Sequence, residues 1–377
     1  MNTTTPSRPR RSSRGFSLVE AIITLLLVSI IIVAATAAFV QNQRVTTSEV
    51  LRATLRSNLR YAVNAMAGDL RAIGAFSKWS QISAVGAYAF SMLECTNTNW
   101  TPFASAGSNL GQYTGYDAGL PDRVRIADPD IINDARLYAD YNPPSSQIKS
   151  IKLTGAQFEE GDLLIITDAN LVGNPLDPNA AIHADLLVPT TIQNPTTGNP
   201  FTEITINPGN TSGGINPPNG LSYPYPSGSV LYKIRIWEYF IDASLADGIP
   251  RLYRREVRSV NSYPELVAEY VEDLQVALWL DTNNNGVMEA SEWMNSNFQN
   301  LIANKSQLAF LRGMRITLVG RTPMVPEAIA GRNIGGSIYY QRPAIEDRAA
   351  GVVSGAPMYR EVYQEIVYLR NMRPPQS

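Results

Sequence analysis

Twenty residues without a charge, Ala21 to Val40, directly follow a glutamate at position 20, and this pairing constrains the chain more than any other feature. At about 1.5 Å of rise per residue, such a run makes a helix long enough to cross a hydrocarbon layer. Ahead of it stand Arg8, Arg10, Arg11 and Arg14, with no acid among the first fifteen residues. A basic flank of this kind holds the near end of a span on the cytoplasmic side. A secretory signal would show a shorter apolar core and a small-residue cleavage site, whereas this run passes into further helical pattern. A plain signal anchor is one reading of such a span. Glu20 separates it from a second reading, because a carboxylate at the start of an apolar span is costly and persists where something pairs with it.

The residues around Glu20 carry a resemblance. Arg14-Gly15-Phe16-Ser17-Leu18-Val19-Glu20 resembles the class III leader junction of type IV prepilins. The resemblance implies cleavage by prepilin peptidase between Gly15 and Phe16 and N-methylation of Phe16 as the mature N-terminus. It also puts Glu20 at the family's fifth mature position, where the glutamate pairs with the N-terminal amine of a neighbouring subunit. That amine is the counter-charge that the physics of a carboxylate in an apolar span calls for.

Beyond the span, Leu51, Leu55, Leu59, Ala62, Met66, Leu70 and Ile73 recur every three or four residues, while Arg52, Arg56 and Arg60 form a separate stripe. The arginine stripe reads as a solvated face or as one that meets acidic neighbours in an assembly. No proline interrupts Phe16 to Ile73, so one helix of roughly 87 Å is expected at about 1.5 Å per residue. From Gly74 onward the pattern changes to short alternating runs separated by Gly, Pro, Asn and Asp, the signature of antiparallel strands. Strands are expected over 148–153, 162–167, 230–241, 252–257, 274–280, 314–319 and 362–369. In 230–236, Val230, Tyr232, Ile234 and Ile236 alternate with Leu231, Lys233 and Arg235, which predicts one buried and one mostly wet face. The stretch 188–228, dominated by Pro, Asn, Thr and Gly, reads as a long, flexible surface insertion. The fold class is therefore α+β: a long N-terminal helix, half transmembrane or filament-core and half amphipathic, packed on an antiparallel β-sheet domain.

Composition narrows the function. Without the first fifteen residues the chain holds 27 basic and 33 acidic side chains, a balance of −6, so no nucleic-acid partner is expected. The single cysteine, Cys95, precludes an internal disulfide and a thiolate-rich metal site. The lone His183 precludes a His-pair metal site and lies in a Pro- and Asn-rich stretch without a nucleophile elbow, so no enzyme activity is expected.

Asp281-Thr282-Asn283-Asn284-Asn285-Gly286-Val287-Met288-Glu289-Ala290-Ser291-Glu292 fits the twelve-residue calcium-loop pattern. Calcium takes oxygens from the first, third and fifth positions, here Asp281, Asn283 and Asn285, and the backbone carbonyl of the seventh, Val287. Gly286 supplies the sharp turn at the sixth position, Glu289 serves at the ninth, often through water, and Glu292 closes the shell with two oxygens. An Asn-Gly hairpin turn after the strand 274–280 is the competing reading. Two neutral asparagines in the ligand set fit weak, extracytoplasmic calcium binding. The flank before the loop reads as a strand, so the likeness is to the loop alone and not to a helix-loop-helix pair.

Several blocks in order along the chain resemble PilW-like minor pilins. They include Asn58-Leu59-Arg60-Tyr61-Ala62, Gly68-Asp69-Leu70-Arg71-Ala72-Ile73-Gly74, Gly161-Asp162-Leu163-Leu164-Ile165-Ile166-Thr167-Asp168 and Tyr239-Phe240-Ile241-Asp242. Leu252-Tyr253-Arg254, Glu265-Leu266-Val267, Val271-Glu272-Asp273-Leu274-Gln275-Val276 and the closing Tyr368-Leu369-Arg370-Asn371 follow. The lone Cys95 departs from many relatives, whose cysteines could pair, and the 188–228 insertion is also unusual. The resemblance implies a leader over 1–15, a transmembrane or filament-core helix over 16–40, an amphipathic helix over 41–74, and a periplasmic or extracellular head over 75–377 carrying the 188–228 insertion and the 281–292 loop. It implies a single-pass inner-membrane precursor with its head in the periplasm, later part of a pilus at the cell surface. The partners it implies are other minor pilins, the major pilin and possible tip adhesins, in an initiation or tip complex. A J-type minor pseudopilin of a type II secretion system has the same leader and fold and remains the alternative.

Overall fold

The computed structural model describes residues 17–72, 93–96, 121–152, 158–167, 184–198, 200–207, 216, 220–221, 223–242, 247–256, 263–295, 310–323, 341–346, 348, 350–352 and 358–369. The chain divides into two compact units, 1–53 and 54–377. Helix α1, Leu18–Ala72, is uninterrupted over 55 residues. Ser17 opens it, its hydroxyl accepting from the Val19 N–H at 3.3 Å and its carbonyl from the Ala21 N–H at 3.0 Å. The helix runs because no proline or glycine interrupts it before Gly68 and because its hydroxyls turn inward. Thr24 donates to the Glu20 carbonyl and Thr36 to the Ile32 carbonyl, so they stay satisfied without a partner outside the helix.

In the unit 54–377, the apolar stripe of α1 is the centre of the core. Leu59, Ala62, Val63, Met66, Ala67 and Leu70 are wholly buried, and Leu55 nearly so. They join one hydrophobic cluster with residues of two antiparallel sheets. Among the described residues the strands are β1 Leu93–Thr96, β2 Arg123–Leu137, β3 Gln147–Lys152, β4 Leu164–Thr167, β5 Ala184–Leu187, β6 Thr191–Gln193, β7 Thr202–Thr205 and β8 Val230–Asp242. They continue with β9 Arg251–Glu256, β10 Glu265–Glu269, β11 Val271–Leu280, β12 Trp293–Met294, β13 Leu311–Arg321, β14 Gln341–Arg342, β15 Gly351–Val352 and β16 Arg360–Tyr368. One sheet runs β10-β9-β8-β2-β3-β7-β6, with β1 on β2, and with β4 on β8 and β5 on β4. A second runs β12-β11-β13-β16, and β14 and β15 pair as a separate ribbon. The expected α+β class and all seven expected strands are present.

The long ribbon β2–β8 serves two cores. Val124, Ile126 and Ile234 join the α1 cluster, whereas Ala135, Leu137 and Leu231 belong to a second cluster with Tyr141, Leu187, Ile204 and Tyr225. Strand β4 lies between them: Leu163 and Ile165 face one cluster, Leu164 and Ile166 the other. A continuous apolar run is what a strand buried on both faces requires. Two expectations are corrected here. Leu231, assigned to the wet face of β8, is fully buried, because the second cluster covers that face. The stretch 188–228 is not simply a surface insertion: its described part forms β6 and β7 and buries Ile204, Ile206, Leu221 and Tyr225. Asn216 is buried in that stretch, donating to the Val188 carbonyl and accepting from the Val188 N–H at 2.9 and 2.8 Å.

Candidate functional site

The described start of α1 is the first candidate. Gly15 and Phe16, the expected cleavage pair, lie outside the described residues. Glu20 sits in the first helical turn and is exposed. The unsatisfied N–H groups of a first turn favour a carboxylate by about 0.3–1 kcal/mol. That is below the roughly 2.5–3.5 kcal/mol charged for an acid at mid-span, so the helix end alone does not account for this acid next to an apolar run. From Leu18 to Val40 the large apolar side chains are exposed, Leu18 at 77 % and Val33 at 69 %, and the apolar window long enough to cross a membrane has none of its residues buried.

Where α1 meets the sheets of its own unit, the contacts are specific. Gly320 on β13 lets the helix approach: a Cβ there would stand 2.6 Å from Leu55 Cδ1 and 3.1 Å from both Leu59 methyls. Asp69 accepts from the Tyr239 hydroxyl at 2.6 Å and pairs with Arg254 at 3.3 Å. Burial pushes the Asp69 carboxyl up, while Tyr239 and Arg254 pull it back. The arginine stripe divides: Arg52 pairs with Glu49 at 3.3 Å, Arg56 with Glu361 on β16, and Arg60 is exposed; beyond the stripe, Arg71 pairs with Glu365, also on β16, at 3.6 Å.

The loop 281–292 is the second candidate. It is the twelve-residue connection between β11 and β12, not a two-residue Asn-Gly turn, since Leu278 pairs with Met294 and Trp279 with Trp293. This register brings the first and twelfth loop residues to the base of the hairpin. Asn284 and Gly286 adopt left-handed backbone, with φ of 57° and 70°, which asparagine and glycine accept most readily. Asn283 accepts from the Asn285 N–H and Asn285 from the Val287 N–H, at 2.9 and 2.7 Å. Their amide nitrogens both turn to Glu289 Oε1, at 3.4 and 3.0 Å. Asp281 Oδ2 accepts from the Gly286 N–H at 3.1 Å, and Glu292 Oε2 from the Trp279 indole at 3.0 Å. Trp279, with the backbone of Glu289, Asn283 and Thr282, holds the Glu292 carboxyl below its ordinary range against the opposing pull of burial. Among the described residues no three His, Cys, Asp or Glu side chains converge as a metal group. The loop's oxygen donors are the Asp281 and Glu292 carboxylates at its ends, the exposed Glu289 carboxylate, and amide and carbonyl oxygens. Trp279 and Arg312, the side chains bracing Asp281 and Glu292, were not legible beforehand. A buried indole N–H needs an acceptor, which is the one signal that could have marked Trp279.

A polar cluster backs the second sheet. Asp273 accepts from Arg342 at 2.9 Å and pairs with Arg348 at 2.5 Å; Arg315 holds Glu346 in a two-bond fork at 2.7 and 2.6 Å. Asp122 takes the Val276 N–H at 2.8 Å on its carboxylate and gives its own N–H to the Leu274 carbonyl at 2.7 Å. It thereby satisfies backbone groups of β11 that lie beyond the short pairing with β12. Burial pushes the Asp122 carboxyl up to about 8, against the Val276 N–H and with added push from Asp273 and Glu346.

Residues 10–36 match the family model described as the prokaryotic N-terminal methylation motif. The match covers Gly15, Phe16 and Glu20 together. No curated protein matches the chain.

Proposed function

From a chain that the methylation motif marks as type IV pilin-like, of a pilus or pseudopilus, we propose that this protein is a PilW-like minor pilin acting in pilus initiation or at the pilus tip. The carrying observation is a helix whose apolar residues from Leu18 to Val40 are exposed, with one carboxylate in its first turn. Each large apolar side chain removed from water contributes about 1.5–3 kcal/mol. More than ten such residues on one helix have to be covered, by lipid before assembly and by neighbouring helices afterwards. The motif and the apolar helix are consistent with membrane anchoring and imply processing by prepilin peptidase and association with pilus components. In this reading the enzyme cleaves between Gly15 and Phe16 and Phe16 is methylated. Glu20 accepts the amine of an adjacent subunit, and the head packs on other minor pilins. The protein is structural, its work being recognition by packing.

The test replaces Glu20 by alanine in cells that assemble the filament. Membrane insertion and processing are expected to persist while surface pili fall at least about tenfold, the effect of losing about 1.4 kcal/mol at the junction this subunit makes with its neighbour. Pilus counts equal to wild type would remove the charge pair from the proposal. Intact pili with lost protein secretion would move the chain to the pseudopilus alternative. Mass spectrometry of the mature chain is expected to find a methylated Phe16 at its start.

A further inference from the structure

Among the described residues, two buried carboxylate oxygens of the 281–292 loop meet no hydrogen-bond donor: Asp281 Oδ1 and Glu292 Oε1. Their residues are 2 % and 5 % exposed. A buried ionised oxygen without a partner is costly, and native structures keep one where an ion or other ligand meets it. These oxygens belong to the first and twelfth residues of the loop, which the β11–β12 register brings to one hairpin base. In each carboxylate the other oxygen is already held, by the Gly286 N–H and by the Trp279 indole. The free oxygens are therefore fixed in place and not free to turn to water.

We infer that this loop binds a calcium ion, and that the second sheet is built to hold the two end ligands for it. Asp281 and Glu292 supply charge, Asn283 and Asn285 supply amide oxygens, and the Val287 carbonyl completes the set in the order a twelve-residue calcium loop uses. The amide nitrogens of both asparagines are occupied by Glu289, so their oxygens are turned the other way and remain able to accept a metal alongside one N–H each. Glu289, exposed and engaged with those amides, acts through water. Trp279 on β11 positions Glu292. Arg312 on β13 positions the loop, donating to the Asn284 side-chain oxygen at 3.3 Å and standing 3.8 Å from Asp281 Oδ2. That arginine is not the missing partner, because it approaches Oδ2, at a distance beyond a hydrogen bond, and leaves Oδ1 unmet. Its positive charge, with two neutral ligands, sets the affinity in the 10⁻⁴–10⁻³ M range of extracellular calcium modules, on the order of what exists outside the cytoplasm.

Terbium is the probe, because tryptophan excitation sensitises a lanthanide at short range and Trp279 contacts a ligand directly. Full-length protein in detergent micelles is expected to show sensitised terbium emission that millimolar calcium displaces and millimolar magnesium does not, and a melting temperature higher in calcium than in EDTA. The double variant Asp281→Asn with Glu292→Gln keeps every tryptophan and is expected to lose at least tenfold of the emission and the whole calcium-dependent melting shift. If that variant melts below wild type in EDTA, the milder Glu289→Gln decides: it should keep emission and weaken calcium displacement severalfold. Trp279→Phe is expected to lower affinity while Trp293 still reports. No sensitised emission from wild type, emission unchanged in the double variant, or displacement by magnesium as readily as by calcium would each overturn the site. None of these outcomes bears on whether the chain enters a filament, so the two proposals fail separately.

Discussion

Residues 21–40 and 54–72 belong to one unbroken helix, yet they are designed for opposite surroundings. The earlier part is apolar on all sides and exposed on all sides; Ile23, Leu26 and Ile30 are each more than half exposed. The later part is apolar on one stripe only, and that stripe is sealed in a protein core, Leu59 to Leu70 showing no exposed surface. A helix apolar all round requires lipid or a surrounding protein core, whereas an amphipathic one requires cover on its apolar stripe alone. Since the backbone is the same throughout, the side-chain pattern alone assigns the two environments.

The sharpest way to break this contrast is to damage the buried half. Leu59→Ala removes a fully buried side chain that lies against Gly320, and full-length protein in detergent is expected to lose about 2–5 kcal/mol of unfolding free energy in a denaturant titration. Gly320→Val attacks the same seam from the sheet side, where the new Cβ would meet Leu55 and Leu59, and should cost a similar amount. A loss below about 1 kcal/mol in both would mean that the stripe does not anchor the head.

The next effect depends on pH. Asp122 is 5 % exposed, and burial holds its carboxyl near 8, well above the ordinary carboxylate value of about 4. Between those values the native chain keeps a proton that the unfolded chain has released. The folded state is thus favoured in full below about pH 4 and loses stability as pH rises toward 8. The loss is at most about 1.4 kcal/mol for each pH unit in that window. Asn at position 122 keeps an acceptor for the Val276 N–H and cannot ionise. Asp122→Asn is expected to flatten that part of the pH profile and to be at least as stable as wild type at pH 8. An unchanged slope would show that Asp122 is ionised in the native chain.

Asp122 also marks where sequence reading stops. Periodicity found the helix and the strands around Ile165, Ile234, Val276 and Ile316, because local burial writes a local pattern. It missed β2, which contains Asp128, Pro129 and Asp130, residue types that strands disfavour; the strand accommodates them with a register shift against β8 between Asp130 and Asp134. It read 188–228 as surface, because the Ile204 and Ile206 alternation is short and sits among Pro, Asn and Thr. The loop 281–292 was legible residue by residue, since its ligands are consecutive. Its braces were not, because Arg312 arrives from a different strand twenty residues after Glu292, and no spacing rule connects them. The same holds for the Asp69–Tyr239–Arg254 contact, in which a helix residue meets a cross-strand pair of the β8–β9 hairpin far along the chain.

The smallest expected effect sharpens the comparison most. Ile31 is 65 % exposed in the apolar half, so Ile31→Ala removes three carbons from a side chain that makes no part of the core cluster. In detergent, where micelle and protein alike present hydrocarbon, the head's unfolding free energy should stay within about 0.5 kcal/mol of wild type, the range of substitutions away from any packed feature. Leu59→Ala removes the same three carbons from an isomeric side chain on the same helix, so the pair isolates environment from chemistry. A shift above about 1 kcal/mol at Ile31 would mean that the apolar half already packs on protein before any filament forms. The exposed surface that motivates filament entry would then have its partner within the subunit.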